Sequence, residues 1–141
     1  MTTSGEVRVL VAGHASGPVL VLDEPLSFWG GMDPNSGTVI DTRHPQQGRV
    51  LTGAVVVMPA GRGSSSSSSV LAEAVRLGTA PAAIVLASVD VIIALGAMIP
   101  AEIYDLHCPI VVCDGPLYER VAAAGHLEVA ATEVPPVIRL T

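Results

Sequence analysis

Short, strongly apolar runs alternate along the chain with polar, glycine-rich stretches, and the spacing of the apolar runs predicts the elements. Near the start, Val7-Arg8-Val9-Leu10-Val11 and Val19-Leu20-Val21-Leu22 flank a connector that contains Gly13 and Gly17. Two β-rich runs around such a connector predict a strand pair. A polar excursion over residues 23–48 follows, dense in turn formers and with a short strand at Thr38-Val39-Ile40 inside it. Ordered excursions of this length often carry function.

The second half reads differently. Residues 54–58 are apolar without interruption, as a strand buried on both faces requires. Pro59-Ala60-Gly61-Arg62-Gly63 breaks the run and six serines follow, Ser64 to Ser69. Residues 70–77 then read as a helix stopped by Gly78. Further buried strands are predicted at 82–86 and 110–112, with a short helix or turn at 91–95 between them. A helix at 117–124 stops at Gly125, and short strands at 127–129 and 137–140 close the chain. Strand–helix–strand units favour parallel pairing, so the expected class is α/β, with an antiparallel-looking front half. With no internal repeat and no long linker, residues 1–141 are expected to form one domain.

Composition sharpens this picture. The 141 residues are 50% hydrophobic, but the only aromatics are Phe28, Trp29, Tyr104 and Tyr118, so the core must be aliphatic. A mean hydropathy of +0.57 beside 14% charged residues implies either an unusually complete core or a surface that a partner covers. All 7 basic residues are arginine. Without lysine, a Walker phosphate loop and Schiff-base chemistry are both excluded. A net charge of −6 with no basic run argues against nucleic acid, whose phosphates demand a positive footprint. The apolar stretch at 89–99 contains Asp90 and is shorter than the roughly 20 residues a membrane span needs. The first residues have neither a basic start nor a signal-type apolar core, so a cytoplasmic protein is expected.

Cys108 and Cys113 bracket the run Pro-Ile-Val-Val. In a strand, positions five apart face opposite ways, so the two thiols are expected to be buried, reduced and unable to share a metal or a disulfide. Two cysteines cannot hold an iron–sulfur cluster alone. No metal ligands are expected in this chain.

Candidate chemistry converges on Gly61-Arg62-Gly63-Ser64-Ser65. Glycines allow close backbone approach, and a strand that leads through such a loop into a helix aims N–H groups at whatever sits in front. Arg62, Gly63 and Ser65 are candidate substrate-binding residues, and Ser64 is the candidate reacting group. A serine hydroxyl acts as a base only where its alkoxide is stabilised, and a helix N-terminus and Arg62 are two devices for that. The structural alternative is helix capping, expected of Ser66 to Ser69, with one of them as N-cap. Asp33, Asp41, Arg43 and His44 either face a substrate or serve as turn and capping residues. His14, His107 and His126 are isolated, with no ligand-like spacing. No nucleophile elbow with a credible Asp and His sequel occurs.

Four segments together resemble the small subunit, or swivel domain, of aconitase X: Pro25-Leu26-Ser27-Phe28-Trp29-Gly30-Gly31-Met32-Asp33-Pro34, Gly37-Thr38-Val39-Ile40-Asp41, Met58-Pro59-Ala60-Gly61-Arg62-Gly63-Ser64 and Ala80-Pro81-Ala82-Ala83-Ile84. The resemblance runs from about residue 10 to residue 140. It implies a swivelling β/β/α three-layer domain with a parallel sheet and a smaller antiparallel sheet. It also implies a hydro-lyase subunit, inactive alone, that dehydrates a small hydroxy acid together with a large catalytic subunit. That large subunit is expected to hold an iron–sulfur cluster or another metal that binds the departing hydroxyl. The serine after Gly-Arg-Gly, Ser64 here, is the implied proton acceptor. Arg62 is expected to hold the substrate carboxylate or to stabilise the alkoxide.

Ser65 to Ser69 depart from archaeal members, which have Thr-Val-Gly-Ser there. The run is closer to bacterial enzymes acting on cis-3-hydroxy-L-proline, which makes that the expected substrate and phosphomevalonate the alternative. Two other classes compete. A phosphohistidine carrier shares the architecture but needs a histidine that the loop lacks. A non-catalytic anion-binding swivelling module would use the same serines without turnover.

Overall fold

The computed structural model describes residues 6–141. Its backbone is one curled seven-stranded sheet in the order β1-β7-β6-β5-β2-β8-β9. These strands are β1 (Arg8–Val11), β2 (His14–Val21), β5 (Val55–Met58), β6 (Ala83–Leu86), β7 (Ile110–Val112), β8 (His126–Ala130) and β9 (Val137–Leu140). The sequential strands β2, β5, β6 and β7 pair in parallel, whereas β1 joins β7 antiparallel. On the other side β8 pairs antiparallel with both β2 and β9. The parallel sheet and the smaller antiparallel sheet therefore share β2. A separate ribbon, β3 (Met32–Asp33) with β4 (Thr38–Val39), lies in the excursion after the short α1 (Phe28–Gly31).

The expected pairing of the first two runs does not occur. β2 has apolar side chains on both faces: Leu20 sits in one core while Val19 and Val21 pack against the other. A strand of that kind buries more area inside a sheet than in a hairpin. β1, with Arg8 exposed, takes the edge beside β7.

The unbroken apolar runs fill both cores by alternation. Val56, Met58, Ile84 and Leu86 face one side of the sheet, and Val55, Val57, Ala83 and Val85 the other. On the first side pack α2 (Ser66–Leu77) and α3 (Val91–Tyr104), through Leu71, Ala74, Ile93 and Ala97. The second side is covered by α4 (Gly115–Ala123), through Leu117 and Val121, and by the returning β8 and β9. The layers are thus helix pair, parallel sheet, and antiparallel strands with α4.

Cys108 enters the first core and Cys113 the second, as strand alternation requires. Burial raises the Cys108 thiol to about 12. Burial, with Asp114 nearby, raises that of Cys113 to about 11.

Two helices differ from the sequence reading. α3 runs for 14 residues, well beyond the expected 91–95. Asp90 caps it by accepting from the Ile92 and Ile93 amides, and Gly96 lets it lie against α2, since a Cβ there would stand 2.9 Å from the Ser68 carbonyl oxygen. α2 starts four residues before the expected position 70 because Ser67 and Ser68 are buried helix residues. Among the described residues no helix is long and apolar enough to cross a membrane.

Candidate functional site

The carboxyl ends of the four parallel strands gather the loops on which open α/β sheets carry their sites: those after β2, β5, β6 and β7. The loop after β5 holds all four candidates, Arg62, Gly63, Ser64 and Ser65, and each is exposed. It is held from two sides. At Gly61 it forms a parallel bridge with Leu26, which joins the Leu-Ser-Phe-Trp-Gly-Gly segment to the Gly-Arg-Gly-Ser segment. A Cβ on Gly61 would fall 2.1 Å from Oδ2 of Asp90, so the backbone lies directly on the carboxylate that caps α3.

Gly63 is the tighter constraint. Its φ of +104° disfavours any side chain, and a Cβ would lie 2.4 Å from Ser27 Oγ and 3.1 Å from Ser67 Oγ. Beneath it the two hydroxyls close a small ring of hydrogen bonds. The Trp29 amide donates to Ser67 Oγ (3.3 Å), the Ser67 and Ser27 hydroxyls meet at 3.3 Å, and Ser27 Oγ donates to the Trp29 carbonyl (3.0 Å). Ser67 is 1% exposed, so its hydroxyl lies below the surface, whereas Trp29 is 62% exposed.

The serines divide their work differently from the expectation. None of Ser66 to Ser69 is the N-cap; that position is Ser65, whose side chain makes no capping bond. The capping contacts belong to Ser64: its Oγ accepts from the Ser66 amide (3.3 Å) and its carbonyl from the Ser67 amide (2.9 Å). Ser68 is buried and donates to the Ile92 carbonyl at 2.6 Å, tying α2 to α3. The expectation failed because capping was inferred from residue type alone, while a serine run supplies hydroxyls equally to the interior. Ser64 is therefore an exposed hydroxyl oxygen with one helix-start amide already directed at it. That hydrogen bond and the positive end of α2 both favour the deprotonated form. Arg62 makes no side-chain ion pair or hydrogen bond within the described residues, which leaves its guanidinium available.

The excursion residues act locally. Asp33 Oδ1 accepts from the Asn35 amide and Asp41 Oδ1 from the Arg43 amide, each at 2.9 Å, so both carboxylates are turn residues. His44 is buried: its Nδ1 accepts from the Gln46 amide, leaving Nε2–H to donate to the Glu24 carbonyl. His14 pairs with Glu128 and His107 with Asp105, away from the loop. His126 is exposed. Sequence reasoning missed the supports Ser27, Ser67 and Asp90. Ser27 lies within one of the segments that carry the resemblance, but neither its spacing from Ser67 nor Asp90's place before α3 signals a contact.

No group of three His, Cys, Asp or Glu among the described residues is placed to hold a metal, and the two thiols lie on opposite sides of the sheet. These residues do not fit an iron–sulfur cluster.

Fold and loop together define an α/β domain with a hydroxyl-bearing, glycine-rich loop that stands open to solvent at the strand ends. Residues 4–134 match the aconitase X swivel domain, and the chain belongs to that family. It is 46% identical over 136 residues, 92% of its length, to a cis-3-hydroxy-L-proline dehydratase of Pseudomonas aeruginosa. It is 47% identical over 93 residues, 66% of its length, to the phosphomevalonate dehydratase small subunit of Methanothermobacter thermautotrophicus. The first match spans only 23% of that relative, whereas the second spans 71% of the small subunit. Among solved structures, aconitase X of Thermococcus kodakaraensis in its holo-form superposes with a TM-score of 0.82 at 32% identity, over 100% of this chain and 98% of that one.

Proposed function

We propose that this chain is the swivel component of a hydro-lyase that dehydrates a small hydroxy acid, cis-3-hydroxy-L-proline, with Ser64 as the proton acceptor. The observation that carries the reading is the exposed Ser64 hydroxyl, set at the start of α2 with an amide donating to it. Arg62, unpaired among the described residues, stands two positions away. The Ser64 alkoxide takes the proton from the carbon beside the substrate carboxylate. The electron pair of that C–H bond becomes the new double bond and the C–O bond breaks. The hydroxide leaves as water on taking a proton from solvent, and Ser64 returns an equal proton to solvent to regenerate its alkoxide. Arg62 binds the carboxylate, and the Gly63 and Ser65 backbone lines the approach.

The loop is open on its solvent side, so a larger partner completes the pocket. In the cis-3-hydroxy-L-proline dehydratase relative that additional polypeptide belongs to the same chain, and this domain is 23% of the whole. An iron–sulfur cluster or other metal belongs to the partner in this reading. The cytoplasm is the proposed compartment, in keeping with two unpaired, reduced thiols. Phosphomevalonate is the second substrate to test, since the small-subunit relatives act under that name.

The experiment measures turnover and melting temperature of the reconstituted enzyme on both substrates. Ser64→Ala should lower turnover by ~10²–10⁴-fold, the usual loss with a general base, and cost about 1 kcal/mol or less of stability through the lost capping contact. Ser68→Ala should do the reverse, costing about 1 kcal/mol by removing the hydrogen bond that ties α2 to the Ile92 carbonyl of α3 while leaving turnover nearly intact. A fully active Ser64→Ala enzyme sinks the catalytic assignment.

A further inference from the structure

The face of α3 turned away from α2 is apolar along its whole length. Val91, Leu95, Met98, Ile99 and Ile103 are between 38% and 73% exposed. They recur at helical spacing and form a stripe about 20 Å long at 1.5 Å per residue. Leu95, Met98, Ile99, Glu102 and Ile103 line a shallow groove of about 240 Å³. The opposite side of the helix is fully used: Ile93, Ala94, Gly96, Ala97 and Pro100 are buried. A surface helix of a finished domain has a polar outer face, and contiguous exposed apolar patches of this kind mark interaction sites.

We infer that this stripe is the docking surface for the larger dehydratase polypeptide, which meets it with an apolar face rimmed by basic residues. The inference rests on the subunit reading above and adds which surface is covered. Position and charge both select that occupant. The stripe starts beside the candidate site, because α3 begins at Asp90 and the Asp90 carboxylate supports Gly61. A partner seated on α3 is thereby brought to the open side of the Ser64 loop.

The charges that α3 and its flanking residues carry are acidic: Asp90 at one end, with Glu102 and the exposed Asp105 at the other, while Arg62, next to Gly61 at the Asp90 end, belongs to the candidate site. No lysine or arginine occurs between Arg76 and Arg120. Arg76, on the neighbouring α2, is held by Glu73. A second copy of this chain would therefore bring acid against acid at the Glu102 and Asp105 end if the two helices ran parallel, and a net charge of −6 on each copy opposes either arrangement. The relatives indicate a larger companion: where this domain makes up 23% of a dehydratase, more than three times its length of other polypeptide accompanies it.

The test co-expresses this chain with the large dehydratase polypeptide and measures affinity by titration and stoichiometry by sedimentation. Wild type should form a 1:1 complex. Leu95→Arg with Ile103→Arg should weaken it about a hundredfold or more, as expected for two central apolar contacts. The milder Leu95→Ala with Ile103→Ala, whose helix propensity is not in question, should weaken it about tenfold. Glu102→Arg should weaken it less but in the same direction, and should flatten its salt dependence. Unchanged affinity in both double variants, with wild type bound, overturns the inference and leaves the subunit reading standing. The inference is equally overturned if the double variants lose self-association yet still bind the large polypeptide. Failure of wild type itself to bind brings down the subunit reading, and the inference with it.

Discussion

α2 and α3 lie side by side on one face of the same sheet, yet they present opposite surfaces to solvent. α2 buries Leu71, Ala74 and Val75 and turns Ser69 and the Glu73–Arg76 ion pair outward. α3 buries an equally apolar face and turns another apolar face outward. The contrast separates two reasons for a residue to be hydrophobic. In α2 the apolar positions, apart from the exposed Leu77 at its end, are explained by this domain alone. In α3 about half of them stand partly or largely in solvent.

Substitutions on the isolated chain can break or sharpen that contrast. The largest effect belongs to Leu71, fully buried in α2, where Leu71→Ala should cost about 2–5 kcal/mol in a denaturant titration. A smaller loss would mean that the first core is loosely packed. Next comes pH. Both thiols sit well above the ordinary value of 9.0, so the fold favours their protonated forms. Their contribution is fully present below about pH 9 and is lost as pH rises towards the folded values, because the unfolded chain then binds fewer protons. Replacing both cysteines by alanine should flatten the alkaline decline in melting temperature. The smallest effect is expected at Leu95. Leu95→Ala should change the stability of the isolated chain by about 0.5 kcal/mol or less, since nothing in this domain packs on its exposed face. A loss as large as that at Leu71 would show the α3 stripe to be core, and the contrast would fail.

The same two helices show what a sequence can reveal. β5 and β6 were legible because a run apolar at every position has one comfortable place, buried on both faces, and Gly78 marked the end of α2 because it takes the left-handed cap, with φ +80°. α3 is longer than its sequence signal because apolar residues all around a helix produce no periodicity, and because Gly96 and Pro100 look like stops. Both are instead buried where α3 packs. The strand pair predicted at the front was wrong for another reason. Neighbours in sequence often pair, but β1 and β2 take their partners, β7 and β5 with β8, from much later in the chain. At the candidate site the loop itself was readable from Gly61-Arg62-Gly63-Ser64. Its supports were not, because Ser27 and Ser67 are 40 positions apart and only the fold brings them together.

The clasp under Gly63 has an optical consequence. It fixes the backbone of Trp29 through both its amide and its carbonyl, and Trp29 is the chain's one tryptophan. All indole emission from the protein therefore comes from one exposed residue whose backbone is tied to the support of the Ser64 loop. A collisional quencher such as iodide reaches that ring freely while it stands in solvent, and loses access when anything closes over it. The chain carries its own fluorescent gauge of whether the loop is open or covered, with no dye to attach and no second tryptophan to subtract.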